Sequence, residues 1–161
     1  MTIPFYKYQG TGNDFVVIDQ RQTRYLSQSD EQKIKFLCDR RFGIGADGLI
    51  LLENSPLPNV DFEMVYFNAD GAESTMCGNG GRCLVAFAHF LQVFDNQCVF
   101  NAIDGLHEAR INTEGVVEKP KNIGELRGIN LDMDLSITEQ AEMTLIFNEI
   151  SGDNSSGSGR R

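Results

Sequence analysis

"GGRCLVAFAHFLQVF", residues 80–94, decides the fold. Cys83, Leu84, Phe87, Phe90, Leu91 and Phe94 recur at helical spacing, and Ala86 and Ala88 fill much of the remaining surface. A helix over roughly 80–92 with an almost wholly apolar surface does not suit a position with one wet face; it belongs inside a domain. The flanking sequence offers strands to enclose it. "FYKYQ" (5–9) and "DFVVID" (14–19) flank the turn "GTGN" (10–13) and predict a hairpin. "DGLILLE" (47–53) and "VDFEMVYFNADG" (60–71) form another pair of strand candidates, separated by the proline-containing "SPLPN". "QCVFNAI", "LHEARI" and "GVVEK" continue the short-strand pattern from 97 to 119.

A second helix is expected earlier, over roughly 30–41. "SDEQKIKFLCDRRFG" offers Ser29 or Asp30 as N-cap, Ile34, Leu37 and Cys38 on one face, and Gly43 as a stop. The expected class is therefore α+β: a many-stranded, mostly antiparallel, barrel-like sheet wrapped around a central apolar helix. That unit spans residues 1–119. Residues 120–150 carry mixed signals and read as a divergent extension, and the Gly/Ser-rich stretch 151–161 reads as a disordered tail or linker.

Composition narrows the function. The chain has 161 residues, enough for one domain with a substantial core, and a formal net charge of -9. Nucleic acid and anionic membranes call for clustered Lys and Arg, so neither is an expected partner. The N-terminus lacks a basic region followed by an apolar core, and no stretch approaches the ~18 apolar residues of a membrane span. A cytoplasmic protein is expected. Cys38, Cys77, Cys83 and Cys98 are too few and scattered for a disulfide framework, and their spacing does not match a structural zinc site, so no metal is expected.

"MCGNGGRC" (76–83) leads into the apolar helix. If the helix begins just after "CGNGG", Cys77 stands at its N-terminus, where unpaired N–H groups and the positive end of the dipole favour a thiolate. Gly78, Gly80 and Gly81 permit close approach of a ligand, and the N–H groups of Gly78 and Asn79 suit a carboxylate. The plainer alternative is a strand-to-helix turn with an inert cysteine. The segment departs from a Walker phosphate loop, because Arg82 and Cys83 stand where Lys and Ser or Thr are required.

"GTGNDFVV" (10–17), "RRFGIGADGLILL" (40–52), "FNADGAESTMCGNGGRC" (67–83) and "FNAIDGLHEARI" (100–111) together resemble the N-terminal half of the diaminopimelate epimerases, over roughly residues 4–119. Proline racemases and phenazine-biosynthesis isomerases share that fold, but the combination of motifs is similar to the epimerases. The resemblance implies a cofactor-independent epimerase of the lysine and peptidoglycan precursor pathway. It would interconvert LL- and meso-diaminopimelate by removing the α-proton on one face and returning it on the other, with two cysteines from two similar domains and neither metal nor pyridoxal phosphate. Carried over by motif, Cys77 is one acid/base thiol, Asn13 and Asn68 contact the substrate, and Gly78 and Asn79 bind the carboxylate at the reacting carbon. Each asparagine also has a purely local reading, as a turn residue at Asn13 and a strand end at Asn68.

The second domain of that family, with its own Cys-Gly-Thr-Gly segment, has no counterpart in these 161 residues. Cys83 falls in the apolar run and Cys98 in a strand, so both read as core. Two function classes follow. One is a half-enzyme that works with a complementary half or as a homodimer; the other is a truncated, non-catalytic remnant or small amino-acid-binding module with the same half-fold.

Overall fold

The computed structural model describes residues 2–75, 78–117, 121–122 and 146–151. Eight strands, β1 (Thr2–Gly10), β2 (Asn13–Asp19), β3 (Gly48–Glu53), β4 (Phe62–Asn68), β5 (Gln97–Ala102), β6 (Gly105–Arg110), β7 (Lys121–Asn122) and β8 (Ile146–Ser151), form one sheet among the described residues. The order across it is β7-β6-β5-β4-β3-β2-β1-β8. Two helices, α1 (Glu31–Cys38) and α2 (Gly78–Phe90), accompany the sheet among the described residues. The predicted class and most of its elements are present. Five ladders are antiparallel; β2 with β3 and β4 with β5 are parallel.

The parallel pairs account for the positions of the helices. A parallel pair needs a crossover, and the sequence places α1 between β2 and β3 and α2 between β4 and β5. Because β3 and β4 are antiparallel, the second pair runs opposite to the first. The strong preference for right-handed crossovers then puts the two helices on opposite faces. The side chains divide accordingly. Ile3, Phe5, Val16, Ile18, Leu49, Leu51 and Phe67 pack with Ile34, Leu37 and Cys38 of α1. Phe15, Val17, Ile50, Leu52, Phe62 and Met64 pack with Leu84, Val85 and Phe87 of α2. β3, covered on both faces, is buried from Gly48 to Leu52, which is why "GLILL" lacks alternation.

The cluster around α2 draws on strands from β1 (Tyr8) to β6 (Ala109), so the sheet encloses much of this helix. Phe62 and Phe100 stack with ring centroids 5.2 Å apart across the parallel β4–β5 pair. Enclosure is incomplete at the helix C-terminus, where Phe90 is 48% exposed.

Several boundaries differ from expectation. The helix predicted over 80–92 runs from Gly78 to Phe90. It ends there because Gln92 takes a left-handed conformation (φ 58°), while the N–H groups of Gln92 and Val93 donate back to the carbonyls of His89 and Ala88, a Schellman-type stop. The first helix, predicted to 41, ends at Cys38. Asp39 is extended, and its Oδ1 accepts the N–H groups of Arg41 and Phe42, both at 2.8 Å, drawing the next turn out of the helical path. Asp30 occupies the N-cap position but makes no capping hydrogen bond; its carboxylate instead accepts from the N–H and hydroxyl of Ser27. "GVVEK" contributes an isolated bridge between Val117 and Ile111, and the next strand is β7. The predicted tail, 151–161, lies outside the described residues beyond Ser151.

Candidate functional site

The β1–β2 hairpin turns on Thr11 and Gly12, both at positive φ (53° and 86°), as required of a two-residue turn that follows the twist of its strands. Asn13 is thereby fixed as the first residue of β2, opposite Gly10. The start of α2 lies against this turn: a Cβ at Gly10 would stand 3.4 Å from the Asn79 carbonyl oxygen and 3.2 Å from Cys83 Sγ.

Two sequence-predicted residues meet here. Asn79 Nδ2 donates to Asn13 Oδ1 at 2.7 Å. Asn13 Nδ2 donates to Asp47 Oδ2 at 3.1 Å, just before β3. At the other end Arg82, one turn after Asn79, donates from Nη2 to Asn79 Oδ1 and also reaches Thr11 Oγ1 at 3.2 Å. The result is a line of polar side chains across the end of the sheet.

A charged cluster anchors that line. Arg40 holds Asp14 with two parallel hydrogen bonds, 3.0 and 2.7 Å, and extends Nη2 to Asp47 Oδ1 at 3.1 Å. Lys7 Nζ adds a bond to Asp14 Oδ2 at 2.8 Å and another to the Gly45 carbonyl. The hydrogen bonds from Arg40, reinforced by Lys7 against a smaller opposing effect of burial, hold the Asp14 carboxyl far below the usual carboxylate range. The same pairing raises the Arg40 pKa.

Gly78 and Asn79 open α2 and are half-buried. In any α-helix the first N–H groups have no acceptor within the helix, and here they carry the positive end of the dipole. Cys77 lies outside the described residues, immediately before Gly78 in the sequence. Asn68 ends β4 opposite Gly48, at the same end of the sheet as Asp47 and Asn13. Its backbone closes the following turn, with Asn68 N–H donating to the Ala72 carbonyl and Gly71 N–H to its own, both at 2.9 Å. The Asn68 side chain is exposed, and the hydrogen bonds that join Asp47, Asn13, Asn79 and Arg82 do not include it.

The other cysteines are interior. Cys38, Cys83 and Cys98 are buried. Burial pushes the Cys38 thiol up to about 11 and the Cys98 thiol up to about 12, so neither is a thiolate near neutrality. Burial also raises the pKa of Tyr8, whose hydroxyl has no hydrogen-bond partner among the described residues. Among the described residues, no group of three or more His, Cys, Asp or Glu is arranged to hold a metal ion, and no helix is long and apolar enough to cross a membrane.

An open groove of about 790 Å³, lined by Ala86, His89, Phe90, Gln92, Phe94 and Asp95, lies at the far end of α2. At 1.5 Å per residue, His89 is about 15 Å along the axis from Asn79, so the groove is separate from the polar line. Asp47, Arg40 and Lys7 were not singled out by sequence reasoning. Asp47 and Arg40 do stand in the quoted motif "RRFGIGADGLILL", but the motif alone does not reveal what their side chains hold.

Comparison with known proteins gives a consistent picture. The family profile described as diaminopimelate epimerase matches residues 5–122. A relative described as diaminopimelate epimerase from Flavobacterium psychrophilum is 58% identical over 122 residues, covering 75% of this chain and 46% of the relative. A relative with the same description from Aquifex aeolicus is 41% identical, covering 69% of this chain and 42% of the relative. The chain thus spans a little under half the length of these relatives. Among solved structures, a Bacillus anthracis phenazine biosynthesis protein of the PhzF family aligns with a TM-score of 0.56 at 16% identity, over 73% of this chain and 39% of that one. A probable proline racemase from Agrobacterium radiobacter, with bound carbonate, aligns with a TM-score of 0.54 at 14% identity, over 68% and 37% of the two chains. At such identities these structures share the fold.

Proposed function

The chain belongs to the diaminopimelate epimerase family, and from that premise we propose that it is one half of a cytoplasmic, cofactor-independent amino-acid epimerase acting on LL- and meso-diaminopimelate. Cys77 serves as one of two acid/base thiols. Gly78 and Asn79 present N–H groups to the substrate carboxylate, while Asn13 and Asn68 contact the rest of the substrate. The observation that carries this reading is the 2.7 Å hydrogen bond from Asn79 to Asn13, which joins residues of two separate motifs at the N-terminus of α2, next in sequence to Cys77.

The chemistry follows from that position. A thiolate at a helix N-terminus is stabilised by the dipole and by nearby N–H groups, which lowers its pKa toward neutrality. The same N–H groups stabilise the negative charge that accumulates on the substrate carboxylate when the α-proton leaves. Inversion then needs an acid on the opposite face, supplied by a complementary half or by a second copy.

The test is complementation in deuterium oxide. The chain and a separately expressed C-terminal half of the Flavobacterium psychrophilum relative are mixed with LL-diaminopimelate. Meso product carrying solvent deuterium at the α-carbon is expected, and Cys77→Ala abolishes it. Addition of diaminopimelate to the isolated chain is expected to shift the backbone amide resonances of Gly78 and Asn79. No product from the mixture, together with no shift at those amides, rules the reading out. Amide shifts without product favour the second reading, a binding module; the partial coverage of the relatives is the observation that keeps that reading in view.

A further inference from the structure

The line Asp47–Asn13–Asn79–Arg82 has an acceptor at one end and a donor at the other. An ionised carboxylate only accepts hydrogen bonds and a guanidinium only donates them, whereas an asparagine amide does either, according to which way it is turned. Asp47 Oδ2 therefore requires the NH₂ of Asn13 to face it, at 3.1 Å, which turns Asn13 Oδ1 toward Asn79. That oxygen requires the NH₂ of Asn79, at 2.7 Å, which turns Asn79 Oδ1 toward Arg82. Reversing either amide would oppose two acceptors or two donors within the line, and at the Asn13 end it would set Oδ1 against a carboxylate.

We propose that Asp47 and Arg82 are positioning residues that fix the polarity of the Asn13–Asn79 amide pair at the mouth of α2. The consequence for recognition concerns what is left over. Each amide nitrogen has two N–H groups and gives one to the line, and each Oδ1 has two lone pairs and gives one, so beyond the line each residue keeps one donor and one acceptor position, and the polarity fixes which side of the amide offers which. A ligand is matched when its acceptors, such as a carboxylate, meet the Nδ2 sides and its donors, such as an ammonium group, meet the Oδ1 sides; the reverse placement opposes like groups. Asp47 is itself held by the Arg40 guanidinium at 3.1 Å and by the Asp14 N–H at 3.1 Å, so the acceptor end does not swing away.

Only the ligand consequence rests on the proposed function. The polarity is tested without ligand, by ¹⁵N-resolved NMR of the asparagine side-chain amides in the full chain. Asp47→Asn replaces half of the acceptor with a donor, and its effect is read at Asn79, a residue that Asp47 does not touch. The expected result is a shift of both the Asn13 and the Asn79 side-chain signals, with solvent exchange of their protons accelerated about tenfold, the equilibrium worth of one hydrogen bond to a charged acceptor. Arg82→Glu makes the same test from the other end and is read at Asn13, while Arg82→Lys, still a donor, leaves the Asn13 signal in place. Either end variant suffices if the other does not fold. A change confined to the nearer asparagine in both variants overturns the proposal. Coupled changes in a protein that fails to bind diaminopimelate uphold the polarity and remove the proposed substrate instead.

Discussion

Asp14 and Asp47 exchange backbone for side chain: the Asp14 N–H donates to Asp47 Oδ2 at 3.1 Å, and the Asp47 N–H donates to Asp14 Oδ1 at 3.2 Å. The exchange ties the start of β2 to the residue preceding β3, where the two strands begin to run parallel. Two carboxylates this close repel unless cations lie between them, and Arg40 bridges both while Lys7 holds Asp14. The candidate site thus stands on a charged junction between parallel strands.

That junction makes stability depend on pH in a defined direction. The folded-state pKa of Asp14 is depressed, so its stabilisation is fully present above the unfolded value, about 4, and is lost as pH falls through the folded value. Asp14→Asn is expected to cost about 1–2 kcal/mol at pH 7, a figure kept low because Arg40 is largely exposed. Urea denaturation of both proteins between pH 7 and pH 2 checks this. The gap between them holds down to about pH 4 and narrows below it; a gap that widens in acid contradicts the assignment.

The turn that follows Asn68 depends on a single missing side chain. Gly71 has φ 93°, and a Cβ there would lie 2.1 Å from the Glu31 carbonyl oxygen at the start of α1. Gly71→Ala combines an unfavourable backbone conformation with a clash against main chain, and the expected loss is about 2 kcal/mol or more. Equilibrium unfolding measures it. An alanine variant as stable as the parent would show that the turn and α1 separate at little cost.

The legible parts of this fold were those set by local chemistry. Glycines between β-rich runs gave the β1–β2 hairpin, and the apolar run from Cys83 gave α2. Boundaries were lost where one side chain intervened, as Asp39 does at the end of α1 and Gln92 after α2. The candidate site was legible only through its motifs. Asn13 and Asn79 stood in quoted segments, but their contact spans 66 positions and that of Asn13 with Asp47 spans 34, distances over which no local pattern carries information. Pairing of β2 with β3 creates the role of Asp47, and this parallel ladder was not foreseen.

The thiols are expected to differ sharply in reactivity. Cys38 and Cys98 are buried with pKa values pushed up to about 11 and about 12, and Cys83 is fully buried against the start of the hairpin. Alkylation requires thiolate and access, so these three react at the rate at which the fold opens. Brief treatment with iodoacetamide at pH 7, followed by peptide mapping, should label Cys77 well ahead of all three. Equal labelling, or labelling of Cys98 first, would remove the case for Cys77 as an acid/base group.

The 161-residue chain, purified alone and kept monomeric, is expected to form no meso-diaminopimelate. A thiolate removes a proton from one face of the α-carbon, and inversion requires delivery to the other. Cys77 is the only cysteine in the sequence followed by glycine, and the remaining three are interior, so the monomer has no second thiol to make that delivery. Water is a poor replacement, because an open half-site leaves the substrate hydrated and the developing carbanion without a dry, dipole-lined enclosure. Pairing of two chains across a two-fold axis is the one escape, since it would set a second Cys77 opposite the first. The measurement therefore pairs sedimentation with product analysis: LL-diaminopimelate is incubated in deuterium oxide at a concentration where the chain sediments as a monomer. Deuterated meso product under those conditions, lost in Cys77→Ala, contradicts the expectation; product that emerges only where the chain sediments as a dimer identifies the second copy as the missing half.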